Sequence, residues 1–287
     1  MILVTGANGQ TGRAIIKALI SKGEKVRAFV HKTEQIEKIK SLGEMEVIAG
    51  DMMDKKVLDE AFIGVTAVCH ICSAFNPFEV DIAKMIIESA QSAKVEHFVY
   101  YSVLHSVLQD MPHHQKKLMT EAILVDSGIP YTIIQPAVLM QNISESWSLL
   151  TEKGIFAQKF FVKETHMNMV DLNDVAEAAA IILTKPGHTY ATYELCGPEN
   201  ISLSDMVSAM EENFGHEIKV KTIQDEELTE RLKRAGMGEY RIDGLLKMFK
   251  HYNEHGFVGN PNVLTWILGR KPNDLSSFIC RELKNKN

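Results

Sequence analysis

The chain has 287 residues, with 31 Lys plus Arg against 37 Asp plus Glu and a formal charge of −6. That balance argues against a dedicated nucleic-acid binder, whose footprint is a net basic surface. A hydrophobic content of 45% excludes wholesale disorder, and four cysteines make no disulfide framework.

The first 135 residues alternate between strand and helix patterns. Strands are predicted over 1–5, 25–31, 46–49, 67–72, 97–102 and 131–135. Helices are predicted over 13–22, 33–42, 55–62, 78–93 and 114–127, several of them closed by a glycine: Gly23, Gly43, Gly64 and Gly128. The strands read as near-continuous apolar runs, as expected for a parallel sheet covered on both faces. After Pro136 the rhythm breaks. Helices are expected at 146–153, 172–184, 203–214, 226–235, 240–255 and 263–268, with short strands at 192–195 and 218–222.

The expected fold class is therefore α/β, a Rossmann-type doubly wound parallel sheet. The core occupies 1–145, with 170–196 returning to it. Residues 146–169 and 197–287 form a smaller, mostly helical substrate-binding part. The longest apolar stretch, 175–183, contains Glu177 and falls well short of the about 20 residues of a membrane span. With no targeting segment visible, a cytoplasmic, reduced location is expected, with no membrane association.

The decisive motif runs Thr5-Gly6-Ala7-Asn8-Gly9-Gln10-Thr11-Gly12-Arg13. It leaves a predicted strand and opens a predicted helix. Gly6 permits the tight strand exit, Gly9 lets backbone approach a pyrophosphate, and Gly12 lets helix and strand pack closely. Free N–H groups at the helix start then face an anionic ligand. The G-x-x-G-x-x-G spacing resembles the short-chain dehydrogenase/reductase superfamily in its extended or atypical branches.

An NAD site carries an acid about 20 residues beyond the glycines, on the ribose hydroxyls. His31 and Lys32 stand there instead. A carboxylate would repel a 2′-phosphate, whereas Lys32 and Arg13 would attract one. The expected cofactor is NADP(H) in preference to NAD(H), with a solvated loop lysine as the alternative reading of Lys32. Asp51, in Gly50-Asp51-Met52, has two readings: contact with the adenine, or capping of the next helix. Met52, Cys72, Ser73 and Pro136 complete the expected nucleotide groove.

Several further stretches resemble the NmrA-like family of atypical short-chain dehydrogenases. They are the glycine loop, Val26-Arg27-Ala28-Phe29-Val30, Gly50-Asp51, Tyr101-Ser102, Lys117-Leu118-Met119-Thr120-Glu121, Ser127-Gly128-Ile129-Pro130-Tyr131-Thr132, Pro136, Met140-Gln141-Asn142 and Asp174-Val175-Ala176. The resemblance covers essentially the whole chain. It implies either an NAD(P)H-dependent reductase of quinones, dyes or azo compounds, or a nucleotide-sensing regulator that contacts a protein partner and catalyses nothing.

Relatives in the superfamily use Tyr-x-x-x-Lys, with Tyr as proton donor and Lys on the nicotinamide ribose. The resemblance puts that lysine at Lys117, and His113 stands where the tyrosine would be. His113 has two readings: a group able to carry a proton near neutral pH, or a surface loop histidine after Pro112. Lys116 reads as solvated. Ser102, at the carboxyl edge of the fifth strand, is a candidate for polarising a substrate carbonyl; Tyr101 and His105 are alternates. Absence of the tyrosine weighs against a nucleotide-sugar epimerase.

No metal is expected. In Cys69-His70-Ile71-Cys72, residues three apart on a strand point to opposite faces. His251-Tyr252-Asn253-Glu254-His255 has zinc-peptidase spacing but no evident third ligand. The expected partner is a small apolar acceptor.

Overall fold

The computed structural model describes residues 1–159 and 165–286. It contains two compact units. One comprises Met1–Leu108, His113–Pro136 and Leu172–Glu194; the other comprises Gln109–Pro112, Ala137–Asp171 and Leu195–Asn287.

The first unit is built on a seven-stranded sheet. Its strands are β1 (Ile2–Val4), β2 (Val26–Val30), β3 (Glu46–Ala49), β4 (Ala67–Ile71), β5 (His97–Tyr101), β6 (Tyr131–Pro136) and an edge strand, β10 (Ala191–Leu195). Three short strands, named below, precede β10 in the chain. The spatial order is β10-β6-β5-β4-β1-β2-β3. Every pairing from β6 to β3 is parallel, with Val4 opposite Ala28 on one side and Cys69 on the other. This is a Rossmann-type doubly wound sheet. Its order reverses between β1 and β4, and ligands of such folds bind at the carboxyl ends of those strands.

Helices cover both faces. On one, α3 (Lys55–Ala61), α4 (Glu79–Ser92) and α5 (Pro112–Asp126) bury Leu58, Ile82, Ile86 and Leu124 against Leu3, Phe29, Val68, Phe98 and Ile133. On the other, α1 (Gln10–Ser21) packs on α7 (Leu172–Thr184). Burial of most of α7 explains the unbroken apolar run from Ala178 to Leu183. No described helix is long and apolar enough to cross a membrane.

Two elements differ from expectation here. The first helix starts at Gln10 rather than at 13, because its first turn is the glycine loop itself and carries no apolar residue to announce it. The helix expected over 33–42 is a 3-10 turn (Thr33–Gln35) followed by α2 (Ile36–Lys40). The Gln35 side chain accepts from the N–H groups of His31 and Lys32 at 3.2 and 3.3 Å, and this fixes a tight turn ahead of the helix.

The second unit holds β7 (Val138–Leu139), β9 (Met167–Val170) and β11 (Asn200–Ile201) in one small sheet, and β8 (Ile155–Gln158) with β12 (Lys219–Thr222) in another. Around them lie α6 (Trp147–Lys153), α8 (Leu203–Phe214), α9 (Asp225–Arg234), α10 (Glu239–His255), α11 (Asn262–Leu268) and α12 (Leu275–Lys286). The sequence patterns miss α12 and every strand of this unit except β12. Within the expected 146–169 segment, residues 160–164 lie outside the described residues.

Candidate active site

Thr5 follows β1 directly and is fully buried. Its N–H donates to Cys69 O at 3.0 Å. Its hydroxyl oxygen accepts from Ile71 N–H at 2.9 Å and lies 2.9 Å from His70 Nδ1. This clasps β1 to β4 where the glycine loop begins. Gly6 follows with φ +60°, and a Cβ there would stand 2.6 Å from Ile71 O. A Cβ on Gly12 would stand 2.5 Å from Gly6 O. Both positions therefore require glycine. Gly9 caps α1 without a side-chain bond, and the first turn holds no acid. The N–H groups of Gln10, Thr11 and Gly12 have no partner within the helix, and Asn8 Oδ1 is buried without a partner. The orphaned N–H groups at this helix N-terminus fit a pyrophosphate. Arg13 is half-buried, His31 and Lys32 are exposed, and among the described residues neither Arg13 nor Lys32 is in an ion pair.

Asp51 is exposed, and its carboxylate accepts from Met53 N–H at 2.9 Å. The capping reading is corrected. The cap of α3 is Asp54, whose Oδ1 accepts from Lys56 N–H at 2.9 Å, because Asp51 lies one turn too early. Met52 is half-buried against the core. Cys72 is buried just past β4, and Ser73 is exposed. Burial, with the nearby Glu79 carboxylate, pushes the Cys72 thiol up to about 11, and burial pushes Cys69 to about 12. Neither is a thiolate near neutral pH. Among the described residues no group of three His, Cys, Asp or Glu is placed to hold a metal. Pro136 closes β6, and its carbonyl accepts from Leu104 N–H.

Lys117 is 2% exposed. Its Nζ lies 2.6 Å from Glu79 Oε1, donates to Tyr101 O at 3.0 Å and sits 5.0 Å above the Tyr100 ring. Tyr100 Oη donates to the same Glu79 oxygen at 2.8 Å. His70 stacks on Tyr100 at 5.9 Å, so the cluster continues to Thr5 and the start of the glycine loop. Lys116 is not simply solvated: its Nζ donates to Pro77 O at 2.7 Å, tying α5 to the β4–α4 loop.

His113 is corrected on both readings. It is not on a surface loop but buried in the first turn of α5, with Phe75 at 4.6 Å and His114 at 4.4 Å. Burial first, then the His114 and Lys117 charges, push it down to about 3, so it carries no imidazolium proton near neutral pH. Ser102 donates to Glu121, which also accepts from Ser106 and Gln135 at 2.9 Å each. Its proton is thereby committed inside the protein. Of the alternates, Tyr101 hydrogen-bonds Thr11, and burial raises its phenol. His105 holds φ +55° and faces Glu194 at 3.6 Å.

Sequence reasoning missed Glu79, Tyr100 and His70. An acid in the first turn of a helix is generic, and an aromatic within a buried strand reads as core.

The fold, with its glycine loop at the carboxyl ends of β1 and β4, defines a dinucleotide-type α/β protein. Residues 1–281 match the model of the NmrA-like family, and the chain belongs to that family. It is 25% identical over 280 residues to an NAD(P)H azoreductase of Xenophilus azovorans, covering 97% of this chain and 96% of that protein. The structure of an Escherichia coli NADPH-dependent quinone oxidoreductase complexed with NADPH superposes with a TM-score of 0.84 at 23% identity, covering 99% of this chain and 100% of that one. That of a Citrobacter sp. triphenylmethane reductase complexed with NADP(H) gives 0.83 at 23% identity, covering 98% and 99%.

Proposed function

We propose that this protein is an NADP(H)-dependent reductase of a small, flat acceptor such as a quinone or a dye. The carrying observation is the N-terminus of α1, capped by no side chain and built on Gly6, Gly9 and Gly12, with Arg13 in its first turn and Lys32 just past the end of β2, neither in an ion pair among the described residues. In this reading the loop N–H groups hold the pyrophosphate, while Arg13 and Lys32 favour the 2′-phosphate. Asp51 and Met52 border the adenine, Cys72, Ser73 and Pro136 line the groove, and Lys117 meets the nicotinamide ribose. The azoreductase, the quinone oxidoreductase and the dye reductase support this choice of acceptor.

When bound, the nicotinamide supplies a hydride. The chain's residues bind and orient it. With His113 neutral and Ser102 committed to Glu121, neither is placed to supply the proton. A quinone needs none from the protein: it takes the hydride, collects one proton from water and leaves as the hydroquinone.

Purified protein is expected to consume NADPH with a quinone panel faster than blanks. It should also bind NADPH more tightly than NADH, with Lys32→Ala narrowing the gap by roughly tenfold, the worth of one charge-assisted hydrogen bond. Equal affinities in the wild type overturn the NADP(H) preference. Tight NADPH binding with no turnover on any acceptor replaces the reductase with a nucleotide sensor that contacts a protein partner. The neutral His113 and the commitment of Ser102 to Glu121 are the observations that keep this second reading in view.

A further inference from the structure

We propose that Glu79 is a positioning residue for the nicotinamide end of the cofactor, acting through Lys117. This rests on the NADP(H) reading above. Glu79 is fully buried at the first position of α4, immediately after the β4–α4 loop. One carboxylate oxygen holds both the Lys117 ammonium and the Tyr100 hydroxyl. The other, Oε2, is buried and has no partner.

A carboxylate retained only for stability would be satisfied at both oxygens, because each buried unpaired acceptor costs free energy. Replacing a buried ion pair by apolar side chains of similar volume is often neutral or stabilising. Here the pair persists although incompletely satisfied, which points to a task other than holding the fold. The geometry identifies the task. An ammonium has three N–H donors, and Glu79 and the Tyr101 carbonyl take two of them. The Tyr100 ring under the ammonium further restricts where the third can point. The anchored head lies beside Tyr101, the last residue of β5, at the carboxyl edge where doubly wound sheets bind nucleotides. The remaining N–H suits a hydroxyl acceptor there, such as one oxygen of a ribose diol. Without Glu79, the flexible four-carbon stem would leave the ammonium in many positions.

Equilibrium binding tests this with two ligands: NADPH, and adenosine 2′,5′-bisphosphate, which has the 2′-phosphate but no nicotinamide ribose. Glu79→Gln keeps the side-chain shape and removes the charge. It is expected to weaken NADPH by about tenfold, the worth of one misplaced hydrogen bond to a charged group, and to leave the bisphosphate unchanged. Lys117→Met should produce the same selective loss, and adding Glu79→Leu to it should cost nothing more. That double variant buries no charge, so it also serves if Glu79→Gln does not fold. NADPH affinity of Glu79→Gln equal to wild type overturns the proposal, as does equal weakening of both ligands, which is the mark of a merely structural role. So does a further loss of NADPH affinity on adding Glu79→Leu to Lys117→Met. Wild-type protein that binds neither ligand removes the NADP(H) reading itself, and this inference with it.

Discussion

At the scale of single residues, the glycine loop separates positions that the motif treats alike. A Cβ at Gly12 would sit 2.5 Å from Gly6 O, whereas one at Gly9 would meet only that oxygen, at 3.2 Å. Gly12→Ala must therefore push α1 away from the loop, while Gly9→Ala needs only a small local adjustment. The expected outcome is loss of NADPH binding in Gly12→Ala and a smaller loss in Gly9→Ala, read by fluorescence titration; the reverse order would contradict this loop geometry. The loop was legible in the sequence because its requirements are local: backbone conformation and close approach depend on residues a few positions apart. The environment of Lys117 was not, because it joins Lys117 of α5 to Glu79 of α4 and to Tyr100 and Tyr101 of β5. His113 illustrates the same limit. Its type and register suggest a proton donor, but burial decides its charge.

At the scale of elements, arginine ion pairs lock pieces together. Arg27, within β2, donates from Nη1 to Ala61 O at 2.8 Å and Ile63 O at 2.6 Å, and pairs with Glu46 of β3. It thus satisfies carbonyls at the carboxyl end of α3, which would otherwise lack partners. Arg27→Met is expected to cost about 2 kcal/mol in urea unfolding. In the second unit, Asp171 is fully buried and pairs with Arg281 of α12. It also accepts from Gln141 at 2.8 Å and Asn273 at 2.9 Å. Arg281→Ala leaves that carboxylate short of its countercharge, with an expected cost of about 3 kcal/mol; a change within error would show that the polar partners suffice. The helical spacing of Leu275, Phe278 and Ile279 was a usable signal for α12. Strands β7 and β11, of two residues each, carry no usable period and exist only through pairing with β9.

At the scale of the whole molecule, buried neutral histidines make stability depend on pH. Burial is the first cause for His70 and His113, and both are pushed from 6.5 to about 3. Between those values the unfolded chain binds protons that the native state refuses, so unfolding becomes easier as pH falls. Their contribution is complete above about pH 6.5 and is lost progressively toward pH 3, by about 1.4 kcal/mol per pH unit for each histidine. Unfolding free energies from urea titrations at pH 7.5 and 5.5 are expected to differ by about 3 kcal/mol for the two histidines together. An unchanged free energy would mean that these rings titrate in the fold as they do in the unfolded chain.

The sequence alone determined the strand–helix alternation, the doubly wound class and the phosphate loop. These arise from periodicity and backbone sterics, which operate over a few neighbouring residues. Only the tertiary structure decided the neutral state of His113, the commitment of Ser102 to Glu121 and the pairing of Lys117 with Glu79. The first depends on burial, and the other two on partners 19 and 38 positions away in the chain, so an ionisable group takes its charge and direction from the space that tertiary packing builds around it.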